Sequence, residues 1–210
     1  MRTGFARVLS STVVGFLGLA VLAITAPAGI AQEQATKPDS AQATSALAAN
    51  LAREAMAHSS SSLDAWTALS RAQAAVSNQS TLSFRKAIIV DGPPLGFGMY
   101  TPRANNVFKD NDEITVYLEP VGLHWTQENG VYHSLAMMDY ELRTPDGKIL
   151  AGQRGFGKMD FKSHEQNQEV MYKVDLRFHG AHPGKYILVL TCHETSTGHT
   201  TSTEFPIEFQ

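Results

Sequence analysis

From Leu82 onward, apolar and polar residues alternate with a period of two. In EITVYLEP, Ile114, Val116 and Leu118 alternate with Thr115, Tyr117 and Glu119. In EVMYKVDLRF, Val170, Tyr172, Val174, Leu176 and Phe178 alternate with Met171, Lys173, Asp175 and Arg177, and Phe205, Ile207 and Phe209 repeat the pattern near the end. Successive side chains of a strand point to opposite faces, so this alternation predicts strands with one buried face. DGPPLG, EPVG, QENG, TPDGK, HPGK and TSTGH interrupt the pattern with residues that favour turns. About seven or eight short strands separated in this way predict a mainly β domain over residues 82–210, an antiparallel sandwich.

Before residue 80 the period is helical. Residues 32–80 are rich in Ala, Ser and Gln. Leu47, Leu51 and Ala55 recur at four-residue spacing, and Leu63, Trp66, Leu69 and Val76 form a second stripe, with Ser62 as the expected N-cap. Ser59–Ser62 would be the turn of a helical hairpin; the competing reading is a low-complexity tether.

The start of the chain is an address. Arg2 and Arg7 precede an apolar run from Val13 to Ile24, and APAGIAQEQ offers small residues for cleavage after Ala28 or, preferably, Ala31. The run is 12 residues, short of the roughly 20 that span a bilayer. Residues 1–31 are therefore read as a signal peptide, which makes the protein exported, periplasmic or extracellular. No cysteine near the cut supports a lipid anchor, and the mature chain has no second run long enough to span. Retention of the leader as an anchor stays open.

Cleavage removes Arg2 and Arg7, so 17 basic residues fall to 15 against 20 acidic ones, a net −5. A mildly acidic chain without a basic run gives no support to nucleic-acid binding. One cysteine excludes an intramolecular disulfide, so stability must come from an apolar core.

RFHGAHPGKYILVLTCHETSTGHTTSTEFPIEF resembles the last three strands of an immunoglobulin-like or fibronectin type III-like domain. GMYTPRANNVFKDNDEITVYLEPVGLHW and LRTPDGKIL are similar to stretches of uncharacterised exported bacterial proteins of that architecture. The resemblance covers roughly residues 97–210 and implies a sandwich in which Tyr186 turns its hydroxyl back to the preceding corner. It implies no activity, because such folds host many roles. The inter-sheet cystine and the tryptophan of antibody domains have no counterparts.

If Tyr186 faces the core, Leu188, Leu190 and Cys192 share its face, and Cys192 is a small buried hydrophobe. His193 then points the other way, and Glu194 and His199 become near-opposite partners across TSTG, a surface pair rather than a ligand set. His179 and His182 in the corner supply two potential ligands where a metal normally wants three or four. No Gly-x-Ser-x-Gly elbow, Ser–His–acid set or phosphate loop is present. Catalytic, cofactor and metal residues are therefore not assigned.

Three groups remain as candidate ligand or partner surface. His124 and Trp125 lie in the loop EPVGLHWTQENG, where a tryptophan can stack on a sugar or anchor a partner. Tyr100 and Arg103, with Asn105 and Asn106, group polar donors in MYTPRANNVF. Leu135, Met137, Ile187 and Val189 point outward on neighbouring strands and are expected to form an apolar patch, covered either by Trp66 and Leu69 or by a second chain. These readings converge on a non-enzymatic binding or interaction module of the bacterial cell envelope, with an envelope protein or polysaccharide as partner. A carbohydrate-binding or enzyme-accessory domain is the alternative, and a secreted hydrolase or metal-binding protein ranks third.

Overall fold

The computed structural model describes residues 40–57 and 60–210; the leader assigned to residues 1–31 lies outside the described residues. Helices α1 (Ser40–Ala57) and α2 (Ser62–Gln79) lead into the strands. The N-cap of α2 is Ser61 rather than Ser62: Ser61 has extended backbone, and its hydroxyl accepts from the Asp64 amide at 3.1 Å. The two helices meet through small residues, with Ala55 and Ala72 buried. That choice turns the larger side chains of α2 outward, and Leu63 and Trp66 are each 71% exposed.

Nine strands follow among the described residues: β1 (Ser83–Val90), β2 (Val107–Phe108), β3 (Glu113–Val121), β4 (Thr126–Glu128), β5 (Val131–Arg143), β6 (Ile149–Ser163), β7 (Tyr172–Arg177), β8 (Gly184–Glu194) and β9 (Thr200–Phe209). The excess over seven or eight comes from β2 and β4, two and three residues long, too short for any alternation to register. β1–β3–β7 form one antiparallel sheet. β2–β9–β8–β5–β4, with β6 on the other edge of β5, form the second. Only the short β2–β9 pairing is parallel.

The apolar faces of both sheets meet in one core. Ile114, Val116, Leu118, Val174 and Leu176 come from the first sheet; Met138, Leu142, Leu188, Leu190, Phe205 and Ile207 come from the second. Full burial of such a side chain stabilises the fold by about 1.5–3 kcal/mol, so the alternation read from sequence is what assembles the two layers. β3 departs from it. Its second face is buried as well, with Thr115 at 5%, Tyr117 at 0% and Glu119 at 7% exposure.

Two irregularities position the sites. β5 changes partner on one edge, pairing with β8 up to Ala136↔Glu194 and with β4 from His133↔Thr126. In the gap, the Leu135 carbonyl accepts from the Thr195 amide at 3.0 Å and from the Thr195 hydroxyl. At the other irregularity, Gly122 (φ 75°) lies so close to the α2–β1 junction that a Cβ there would stand 2.5 Å from the Thr81 carbonyl oxygen. Only glycine satisfies both the positive φ and that approach.

Candidate functional site

The second face of β3 is closed by the connection between β1 and β2, residues 91–106. Its base extends the sheet: Asp91 N–H donates to Thr101 O at 2.8 Å and Arg103 N–H to Ile89 O at 3.2 Å. Its tip is a tight turn, with Leu95 N–H on Met99 O at 2.9 Å and Met99 N–H on Gly96 O at 3.0 Å. A chain of polar contacts ties this tip to the sheet. Gly98 N–H donates to the Tyr117 hydroxyl at 2.7 Å, which donates to Glu119 Oε1 at 2.6 Å. Arg85 donates to Glu119 Oε2 through Nε and Nη2, both at 2.9 Å, and its guanidinium lies 4.7 Å from the Phe97 ring centroid.

Tyr100 and Arg103 belong to this clamp. The Tyr100 ring lies 4.4 Å from that of Tyr117. Arg103 covers the Phe108 ring at 4.5 Å and donates to Val107 O at 3.1 Å. Burial, reinforced by the Glu119 carboxylate as acceptor, pushes the Tyr117 hydroxyl up to about 12. The clamp leaves two large apolar side chains in water, Leu95 at 83% and Met99 at 58% exposure. Sequence reasoning missed Arg85, Leu95, Phe97, Met99 and Glu119. One signal was available: a connection of 91–106 without a strand is longer than the 12–15 residues beyond which structureless loops become uncommon.

His124 and Leu135 line a notch of about 210 Å³ where β5 changes partner, together with Thr126, His133, Thr195 and Ser196. Glu194 sits behind it, 1% exposed. Its Oε1 accepts from the Ser196 amide (3.1 Å) and hydroxyl (2.7 Å), and its Oε2 from the Thr197 amide (2.7 Å) and hydroxyl. Burial opposes ionisation there, but those four donors prevail and its pKa is lowered. The expected Glu194–His199 side-chain pair is therefore replaced by a capped turn, in which the two residues meet only through Glu194 N–H and His199 O at 2.8 Å.

Trp125 is not an exposed loop platform. It is 7% exposed, its ring is 6.3 Å from that of Phe161, and it lines a separate cavity beneath α2. The four outward-facing residues do not form one patch either. Met137 pairs with His193, whereas Val189 pairs with Glu141 and Ile187 with Arg143, four and six positions further along β5. His193 Nε2 bonds Asp139 Oδ2 at 2.8 Å between the two ends. Val189 is 4% exposed: Glu141 and Glu204 flank it, and Arg143 reaches both carboxylates at 2.6 and 3.8 Å. Leu135, Met137 and Ile187 are half-buried. Trp66 and Leu69 do not cover this face, since both are exposed.

Cys192 is 0% exposed, and burial, with the Glu194 carboxylate second, pushes its thiol up to about 12. A thiol so rarely ionised is a poor nucleophile. The Tyr186 hydroxyl donates to His182 O at 2.7 Å, and its ring meets Phe209 at 5.5 Å. Among the described residues no group of three His, Cys, Asp or Glu side chains could hold a metal, and no helix is long and apolar enough to cross a membrane.

No family model and no curated protein matches the chain. Among solved structures, it is similar to the sporulation control protein Spo0M from Bacillus subtilis (11% identity, TM-score 0.34, 62% of this chain and 50% of that one). It is also similar to a family 123 glycoside hydrolase from Clostridium perfringens (10%, 0.35, 62% and 27%). A third is a superoxide reductase, a neelaredoxin, from Ignicoccus hospitalis (10%, 0.31, 60% and 82%). The chain thus spans half of the first and about a quarter of the second. Likeness at this level carries no conclusion about activity.

Proposed function

We propose that the protein is an exported, non-enzymatic binding module of the bacterial cell envelope. On this reading it is built on an immunoglobulin-like or fibronectin type III-like sandwich and holds an envelope protein with the clamped tip of residues 91–106. One observation carries the reading: Leu95 and Met99 stand in water on a turn that is fastened from beneath by Gly98, Tyr117, Glu119 and Arg85. Full burial of each side chain against a partner is worth about 1.5–3 kcal/mol. A loop already held in one conformation loses less entropy on docking than a mobile one.

The polar chemistry supports a binder over an enzyme. Glu119 faces Arg85 and Tyr117, Glu194 is capped within its own turn, and Asp139 and Asp160 each bond a histidine. Glu119, Asp139 and Asp160 cross-link strands, and Glu194, behind the notch lined by His124 and His133, has both oxygens taken by Ser196 and Thr197. A photo-crosslinking residue in place of Leu95, in cells, should yield a discrete adduct that the same residue at Lys148, on an exposed turn, does not. Leu95→Asp with Met99→Asp should abolish the complex without changing the thermal midpoint. Equal adducts from both positions, or a complex indifferent to the double substitution, would remove the tip from consideration.

A further inference from the structure

β6 is an outer strand of its sheet: among the described residues it pairs with β5 alone. Its first half is interrupted, because Gln153 faces Tyr140 and Gly157 faces Met138, so residues 154–156 bulge opposite Asp139. From Gly157 to Ser163 the pairing runs without a break, against Met138 to Tyr132. That regular stretch ends the sheet.

The direction of its backbone groups follows from β5. The Leu135 carbonyl accepts from the amide of Thr195, which follows β8, so Leu135 faces the β8 side. In an antiparallel strand both backbone groups of a residue point to one side, and those of the next residue to the other. Ser134, Ala136 and Met138 therefore bond β6, through Phe161, Met159 and Gly157. Lys158, Asp160 and Lys162 turn their N–H and C=O to the open edge. Lys158 O accepts from the Tyr172 hydroxyl at 3.3 Å. Asp160 and Lys162 have no strand beside them among the described residues.

Such an edge is a template for another strand unless charge, proline or a cover blocks it. Lysines alone would repel a second copy, but the exposed residues here run Lys158, Asp160, Lys162. That order reads the same in reverse. An antiparallel copy meets it with opposite charges when Asp160 lies opposite Lys162 or opposite Lys158; Asp160 opposite itself sets like charges together throughout. Lys158 already pairs with Asp160 at 2.7 Å and has its carbonyl covered, whereas Lys162 makes no ion pair among the described residues. The register with Lys162 is the one left open.

We propose that β6 joins a second copy of this chain across a two-fold axis at Phe161, which continues the 6-stranded sheet through both molecules. Asp160 of each copy exchanges both backbone hydrogen bonds with Lys162 of the other and sets its carboxylate opposite that ammonium. Pairing over 157–163 alone is at the small, transient end of interfaces, so a dissociation constant of about 10–100 μM is expected. The edge belongs to the second sheet and the 91–106 tip to the first; the dimer presents two tips and does not depend on the role proposed for them.

Sedimentation equilibrium of the purified protein should show a monomer–dimer transition between about 5 and 500 μM. Lys162→Asp and Asp160→Lys each replace two attractive contacts by two repulsive ones and should raise the dissociation constant about tenfold or more. An equimolar mixture of the two variants should dimerise again, since every cross-strand pair is then of opposite charge. Lys162 has no intrachain ion pair to lose, so its variant tests the edge even if Asp160→Lys lowers stability. Amide exchange at Asp160 and Lys162 should slow as concentration rises. Leu95→Asp should leave the dimer unchanged. The proposal is overturned if the parent stays monomeric at about 500 μM, if Lys162→Asp dimerises as the parent does, or if the mixture of folded variants stays monomeric.

Discussion

Tyr117→Phe tests the clamp with the smallest change available. It removes one oxygen and keeps the ring against Tyr100. The hydroxyl accepts from Gly98 and donates to Glu119, so its loss leaves a nearly buried carboxylate oxygen and an amide without partners. An unmet buried acceptor costs about 1–3 kcal/mol. Arg85 still holds the other carboxylate oxygen, and Gly98 is exposed enough to recover water, so the net loss should be about 2 kcal/mol. At roughly 2–4 °C per kcal/mol for a chain of this size, the thermal midpoint should fall by about 4–8 °C. Tyr100→Phe is the control: its hydroxyl makes no hydrogen bond among the described residues, and its removal should change stability by less than about 0.5 kcal/mol.

The same substitution has a local and an alkaline signature. Amide exchange at Gly98 should accelerate beyond the global loss, because the tip is released before the sheet opens. The folded pKa of Tyr117 is raised from 10.0 to about 12, so its contribution to stability is complete below pH 10 and is lost as pH rises toward 12. Tyr117→Phe should lack that part of the alkaline slope. A stability change under about 0.5 kcal/mol, with Gly98 exchange unaltered, would mean that the hydroxyl does not hold the loop, and the rigid-tip argument would go with it.

Cys192 should react slowly with a thiol reagent in the native protein and quickly in denaturant; fast stoichiometric labelling of the folded chain would contradict its burial. Its thiol is raised from 9.0 to about 12, so its share of stability holds below pH 9 and fades between pH 9 and 12, a slope that Cys192→Ala should reduce in urea melts. Tyr186→Phe gives up the bond to His182 O and should cost about 0.5–1.5 kcal/mol in urea melts; an unchanged midpoint would mean that this corner is not held by the hydroxyl. Asp160 titrates at about 2, lowered first by Lys158 and then by His133. Lys158→Met should therefore raise its carboxyl midpoint, followed by carbon NMR, more than His133→Gln does, and the reverse order would refute that ranking.

Much of the architecture follows from period. The alternation through Leu188, Leu190 and Cys192 places all three at 0% exposure, and Val174 and Leu176 obey it on the opposing sheet. The helical stripes mark where α1 and α2 run. What period does not encode is which neighbour a face acquires. Leu63, Trp66 and Leu69 do line one side of α2, but the helix presents its alanines to α1, and the larger stripe is left in water. Short β2 and β4 carry no period, and the notch at Leu135 exists because β4 takes over from β8 along β5.

Register explains the fate of the outer patch. Leu135, Met137, Ile187 and Val189 have the outward phase that alternation assigns, yet four positions along a strand is about 13 Å, and the Asp139–His193 pair occupies the interval. Once Val189 lies between Glu141 and Glu204, the hydrocarbon stems of those residues and of Arg143 suffice to bury it, and no partner is required there. On the 91–106 loop the opposite holds. Polar groups lie beneath, paired and largely dry, while Leu95 and Met99 face water. A chain that seals an outward valine among charged neighbours, yet fastens two apolar side chains outward on a braced turn, has the arrangement that the binding role proposed for that turn requires.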